Sequence, residues 1–254
     1  MGVIAAMSAP ALALEAAWQD VIDELATSCA RRADAAALLV APGVVGVLAG
    51  AAPVVWVHGD ADGQHLAEIL RHAPEVDEVY ITAAQPHVVY SLECNGWSVS
   101  DVLAQTVCPS VELMLMPENA PVVQHLGTTD MAEVRTLLRV HGGFDEHVVS
   151  TSYGDDFFRV AAPAWLLGAR DADGSLIGVV GVRQQGRSAM GFGLTVARPW
   201  RATGLSSRLI AEALGLVSRI GAEFMHAQAT EQSINSLTGC GFSVVGRWVR
   251  LVRS

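Results

Sequence analysis

The residues with the clearest chemical meaning lie in one run, Leu194-Thr-Val-Ala-Arg-Pro-Trp-Arg-Ala-Thr-Gly-Leu-Ser-Ser-Arg208. A strand pattern ends there, a tight loop follows, and a helix pattern begins at once. The first turn of a helix carries N–H groups without intrahelical partners and the positive end of the helix dipole, so it attracts phosphate and other anions. Gly204 lets the backbone approach an anion with no side chain between. Arg201 and Arg208 can add charge-assisted hydrogen bonds to phosphate oxygens. On these grounds the run is either an anion site or the plain start of a helix.

The elements that must hold this run follow from patterning. An amphipathic helix is expected over residues 12–25. Residues 43–48 and 54–58 are short, β-branched and bounded by Gly, Pro and Asp, which predicts a hairpin. Leu66, Ile69 and Leu70 carry a helix, residues 78–82 a buried strand, and residues 85–95 a helix that stops at Gly96. Residues 97–107 and 111–116 read as extended. Pro117-Glu-Asn-Ala-Pro121 is the best candidate boundary, and beyond it the pattern restarts with a strand over 122–126. Thr129 or Asp130 is expected to cap a helix, with Glu133 placed to answer it and Met131, Val134, Leu138 and His141 on one face. Three strands separated by turns follow, over 164–170, 176–183 and 189–197. The next helix carries Leu205, Leu209, Ala213, Leu216 and Ile220 on one stripe and ends at Gly221. A strand over 223–229, a short helix over 232–238 and an extended segment over 242–252 complete the chain.

Composition narrows the function classes. A chain of 254 residues, 51% hydrophobic and 17% charged, has room for one large domain or two compact ones and is neither disordered nor fibrous. With 26 acidic against 16 basic residues the net charge is −10, and the longest basic run is Arg31-Arg32, which argues against nucleic acid as a partner. All 16 basic residues are arginine, so a Schiff-base lysine, a lysine-type phosphate loop and lysine self-acylation are excluded. With the abundant alanine, this usage fits GC-rich bacterial coding. Cys29, Cys94, Cys108 and Cys240 lie far apart and suit a reducing, cytoplasmic setting as small buried residues. The apolar first residues hold no positive charge before Arg31, unlike a secretory signal. Pro42, Pro53 and several glycines break residues 35–57, so no membrane-crossing helix is expected. The acids and histidines between 141 and 158 fit no ligand spacing, so no metal is expected.

Arg201-Ala-Thr-Gly204-Leu-Ser206 resembles the R/Q-x-x-G-x-G/A signature of the GNAT superfamily of acyl-CoA-dependent N-acyltransferases, with Ser206 in place of the last small residue. The strand holding Val196, with Pro199 nearby, is similar to the family's bulged fourth strand. Residues 223–229 look like the fifth strand that splays from it, and residues 230–242, ending Gly-Cys-Gly-Phe242, like the fourth helix and the Gly-Phe that closes it. The resemblance covers residues 119–254. It implies an α/β (α+β) fold with a mixed, mostly antiparallel sheet that binds acetyl-CoA or another short acyl-CoA. Leu194, Thr195 and Val196 would meet pantetheine, and Arg201, Ala202, Thr203, Gly204, Leu205, Ser206, Ser207 and Arg208 would surround the pyrophosphate. Ser233 and Asn235 would meet pantetheine or be ordinary helix surface.

The likeness has departures. Leu237 stands where many members carry a tyrosine that protonates the departing thiolate, and residues 189–196 lack the glutamate often found on that strand. Direct attack by an amine still needs only proximity and an oxyanion donor, here the amide of Val196 or a neighbour, with water relaying the proton. Alternation puts Phe224, His226 and Gln228 on one strand face, where His226 is a candidate base or a core or interface histidine. Glu231 is a second candidate base or a solvated glutamate. Residues 141–158 occupy the region that usually covers the acceptor site. There Asp145, Glu146, Asp155 and Asp156 would suit a cationic amine, and Tyr153, Phe157 and Phe158 an apolar wall. Alternatively this is a solvated acidic loop with its aromatics in the core.

The first half resembles a smaller, degenerate GNAT-like α/β repeat, as in tandem members of the glycine N-acyltransferase type. The likeness rests on element order and on Glu78-Val-Tyr-Ile81 and Leu92-Glu-Cys-Asn-Gly-Trp97. Its loop, Gly59-Asp-Ala-Asp-Gly-Gln64, carries two aspartates that would repel a pyrophosphate, so it is expected to bind no CoA and to build a wall of the acceptor site. The expectation is therefore two domains, 1–118 and 119–254. The implied activity is N-acetyl or short-acyl transfer to a primary amine of a small molecule or peptide, by direct attack. The alternative is a non-catalytic acyl-CoA-binding regulatory protein. The expected partner is the amine substrate, with a homodimer allowed and neither nucleic acid nor membrane.

Overall fold

The computed structural model describes residues 38–41, 44–47, 54–57, 61–74, 76–82, 85–109, 121–154, 157–160 and 163–254. The expected helix over 12–25, the extended segment over 111–116, and Cys29, Asp60, Asp155 and Asp156 lie outside these residues. The chain divides into two compact units, Met1–Val107 with Val244–Ser254, and Cys108–Ser243.

In the first unit β1 (Leu38–Ala41), β2 (Val44–Val47) and β3 (Val54–Val57) pair antiparallel in sequence, which includes the expected hairpin. Helix α1 (Gly63–Arg71) then carries the chain to β4 (Glu78–Thr82), parallel to β3, as a parallel pair requires. Helix α2 (Pro86–Glu93) and the long β5 (Trp97–Pro109) follow. Val55, Val57, Leu66, Leu70, Val79, Ile81 and Leu92 form the core. Asp62 caps α1, accepting from the Gln64 and His65 amides at 2.9 and 3.3 Å. A carboxylate of the chain itself thus sits at that helix start.

The second unit begins with β6 (Val123–Leu126) and α3 (Met131–Leu137), which runs on as a π-helical turn (Leu138–Gly142). Two short helices follow, α4 (Glu146–Ser152) and α5 (Phe157–Val160). Next come β7 (Ala164–Arg170), β8 (Leu176–Gln185), β9 (Ser188–Val196), α6 (Leu205–Arg219), β10 (Phe224–Ala229) and α7 (Glu231–Thr238). The strands lie in the order β10-β9-β8-β7-β6, antiparallel from β6 to β9, with β9 and β10 parallel. Helix α6 buries the expected Leu205, Leu209, Ala213 and Leu216, with Ile220 half-buried at its end. Gly178 in β8 lets it settle: a Cβ there would lie 2.9 Å from Leu209 Cδ1.

The start of α3 corrects the expected cap. Gly127, and neither Thr129 nor Asp130, stands at the N-cap of the short turn that leads into α3, and it donates its N–H to Asp130 Oδ2 at 2.7 Å. Arg170 at the end of β7 takes Asp130 Oδ1 at 2.6 Å and Glu133 Oε2 at 2.5 Å. Asp130 thus answers the turn start through Oδ2, the part expected of Glu133, while Glu133 is drawn to Arg170.

The last strand, β11 (Ser243–Arg253), pairs antiparallel with β4 from Trp248↔Thr82 to Val252↔Glu78 and lies between β4 and β5. Arg253 Nη2 donates to the carbonyls of Leu70, Ala73 and Val76 at 3.1, 3.3 and 3.0 Å, which closes the end of α1. Its guanidinium carbon lies 4.8 Å over the Trp97 ring.

Candidate functional site

Strand β9 is irregular on both edges. Its ladder with β10 runs from Phe224↔Ser188 to Ala227↔Gly191 and stops, while β9 continues to Val196. Beyond Gly191 that edge is not covered by β10, and an extended, amide-bearing ligand could pair with it. On the β8 side the register slips. Val179 faces Thr195 and Gly181 faces Phe192, so β9 takes three steps where β8 takes two. This is a β-bulge, and Gly193 within it has φ +63°. Thr195 is 3% exposed and its Oγ1 has no hydrogen-bond partner among the described residues.

From the bulge the chain passes through a 3-10 turn (Arg198–Trp200) to the start of α6. Ala202 and Gly204 have φ +62° and +86°. A Cβ at Gly204 would meet nothing within 4 Å, and Arg201 to Gly204 are exposed. No side chain caps α6, and its first turn holds no acidic residue. The amides of Leu205, Ser206 and Ser207 thus remain as donors at a positive helix end, where α1 instead has Asp62. The two arginines are held by the protein itself. Arg201 donates through Nε to Val196 O at 3.3 Å and through Nη2 to His141 O at 2.5 Å. Arg208 Nη2 pairs with Glu212 at 2.8 Å. Thr203 Oγ1 donates to Trp200 O at 2.7 Å, which tightens the loop.

The structure brings Tyr153, Phe157 and Phe158 together. The Tyr153 and Phe157 rings stack at 5.7 Å, and Phe158 meets Phe157 edge-on at 5.0 Å. Sequence reasoning missed Phe192, which joins both at 6.2 and 6.1 Å, and Arg183, which lies 5.4 Å over Phe192. Burial lowers the pKa of the Arg183 guanidinium. The sequence did hold a signal: glycines at 191 and 193 inside a strand pattern mark a bulge or a close approach.

The remaining candidates are scattered. His226 is 3% exposed, and burial lowers its imidazole to about 4. Glu231 is exposed in the first turn of α7, and Asn235 is exposed further along it. Ser233 Oγ stays with its own helix start, 3.3 Å from both Thr230 Oγ1 and Thr230 O. Asp145 and Glu146 are exposed at the start of α4, with Glu146 paired to Arg139 at 2.6 Å. Leu237 is buried. Among the described residues, no group of three or more His, Cys, Asp or Glu is placed to hold a metal ion, and no helix is long and apolar enough to cross a membrane.

No family model and no curated protein matches the chain. Solved structures do match it. A GCN5-related N-acetyltransferase from Kribbella flavida has 12% identity and a TM-score of 0.70 over 98% of this chain and 96% of its own. A GCN5-related N-acetyltransferase from Sphaerobacter thermophilus has 16% identity and a TM-score of 0.58 over 82% and 75%. A tandem GNAT protein from the clavulanic acid biosynthesis pathway has 21% identity and a TM-score of 0.55 over 82% and 77%. The bulged β9, the ladder that ends beside it and the uncapped helix that follows therefore belong to an α/β chain with a mixed sheet and the fold of the GNAT N-acetyltransferases.

Proposed function

We propose that the chain is an acyl-CoA-dependent N-acyltransferase, moving an acetyl or other short acyl group to a primary amine of a small molecule or peptide. Residues 119–254 would carry the acyl-CoA site, and residues 1–118 would be a degenerate GNAT-like half without one. The observation that carries this reading is the continuity of β9: its ladder with β10 ends at Gly191, the bulge follows, and the same segment leads to the amides that open α6. A molecule with an extended amide chain at one end and a pyrophosphate at the other fits that line. The fold likeness supports it, and Asp62 supports the absence of a second site, because its carboxylate already takes the first-turn amides of α1.

Acyl-CoA supplies an activated thioester. The protein's part is to hold its carbonyl against bulge amides and to admit a neutral amine, with water accepting the proton. His226 and Glu231 are the side-chain candidates for that proton; burial leaves the imidazole neutral at pH 7. Free Cys94, Cys108 and Cys240 suit a reducing, cytoplasmic setting. Calorimetric titration with acetyl-CoA tests the reading, with Gly204→Glu as control. Micromolar binding lost in the variant, followed by thiol release with an amine panel, is the expected result. No binding by the wild type would overturn it, and binding without turnover on any amine would leave only a regulatory binder.

A further inference from the structure

Tyr153 follows the last turn of α4 and reaches β9 with its hydroxyl. A Cβ built on Gly193 would run into Tyr153 Oη and lie 3.4 Å from Cζ, so the hydroxyl occupies the volume a side chain at Gly193 would need. That glycine is the bulge residue with φ +63°, two residues before the buried hydroxyl of Thr195. Tyr153 is 5% exposed. Its ring stacks on Phe157 and meets Phe192 at a tilt, its N–H donates to Val149 O at 3.0 Å, and its carbonyl accepts from Arg135 Nη1 at 3.1 Å. Backbone bonds thus hold one end of the residue and ring contacts the other. A phenylalanine would fill the same aromatic cluster, so packing alone gives no reason for a hydroxyl against the one stretch of β9 where the β10 ladder is open.

We propose that Tyr153 is a catalytic residue of the acyl transfer, donating a hydrogen bond from Oη–H to the acyl carbonyl oxygen at the bulge, alongside a backbone N–H of the same bulge. The proposal rests on the reading of the chain as an acyl-CoA N-acyltransferase. As the amine nitrogen bonds to the carbonyl carbon, the C=O π pair moves onto oxygen, where the two donors stabilise it. Collapse re-forms C=O and breaks the C–S bond, and the thiolate takes up the proton that the nitrogen gives up through water. Tyr153 keeps its own proton throughout. Burial pushes the phenol well above its ordinary range, so the proton stays on Oη.

The test needs no acceptor. [1-13C]Acetyl-CoA bound to the full-length protein is followed by isotope-edited infrared spectroscopy in wild type and Tyr153→Phe, with calorimetry on the same samples. The carbonyl band is expected at lower frequency when bound to the wild type. In Tyr153→Phe it returns toward its solution value while Kd weakens by no more than about tenfold, the loss of one neutral hydrogen bond. Phe157→Leu, which disturbs the cluster and spares the hydroxyl, keeps the shifted band. With an acceptor in hand, Tyr153→Phe lowers kcat by about 10²–10³. An unshifted band in the wild type, or the same band in Tyr153→Phe, overturns the role of Tyr153 alone. A wild type that does not bind acetyl-CoA overturns the functional reading and this role with it.

Discussion

The guanidinium of Arg201 donates to the backbone carbonyl of His141 at 2.5 Å and to that of Val196 at 3.3 Å. One side chain thereby fastens the π-helical turn after α3, the end of β9 and the loop that opens α6. A second tie runs alongside it, from the Arg198 N–H to His141 Nδ1 at 3.5 Å. The geometry of the amides at the start of α6 therefore depends on a contact with a segment about 60 residues earlier in the chain.

Arg201→Ala should weaken acetyl-CoA binding by about tenfold or more, because a loop that must order itself on binding loses affinity even when its amides are intact. Arg208→Ala should matter less, since that guanidinium already pairs with Glu212. Calorimetry on both variants checks the ranking, and equal losses would contradict it.

The buried His226 makes stability depend on acid. Its pKa is about 4 in the folded chain and near 6.5 when exposed, so between these values the unfolded chain binds the extra proton. Stability should then fall as pH drops from about 6.5 toward about 4, by on the order of 3 kcal/mol across the full range. His226→Gln should flatten that dependence. Urea midpoints at neutral and mildly acidic pH, wild type against variant, give the comparison; parallel curves would exclude His226 as the cause.

Gly181→Ala should cost about 1–3 kcal/mol, because the new methyl group meets the Phe192 ring, itself wedged against Tyr153 and Phe157. Phe192→Leu makes room, so the double variant should lose less than the sum of the two single ones. Denaturant unfolding of the four proteins tests the coupling. Additive losses would mean that the ring moves aside freely.

Regular elements were readable from local patterns. The stripe Leu205, Leu209, Ala213 and Leu216 gave α6, and the turns at Gly174 and Gly186 separated β7, β8 and β9. The position of the uncapped loop before α6 was readable too, since Gly204 and the following helix are adjacent in sequence. The use of the arginines there was not: Arg201 is taken by carbonyls of His141 and Val196, and the first of these is remote in sequence. The same holds for Asp130 and Glu133: pattern alone makes Asp130 a cap and Glu133 its answer, whereas Asp130 itself takes the Gly127 N–H and Arg170 claims Glu133. The bulge was only half visible. Gly193 advertises a special backbone, but its meaning depends on where the β10 ladder stops and on a phenol from α4, both set by tertiary packing.

The place of β11 has a consequence for how the chain comes to be folded. The strand between β4 and β5 in the first unit is made of residues 243–253, and Arg253 closes α1 from there. A ribosome delivers residues 38–107 long before that strand exists. The sheet of the second unit, whose strands all lie between 123 and 229, can be complete earlier. The unit that is synthesised first thus needs residues 243–253 before its sheet is whole, which makes its folding depend on contacts of long sequence separation.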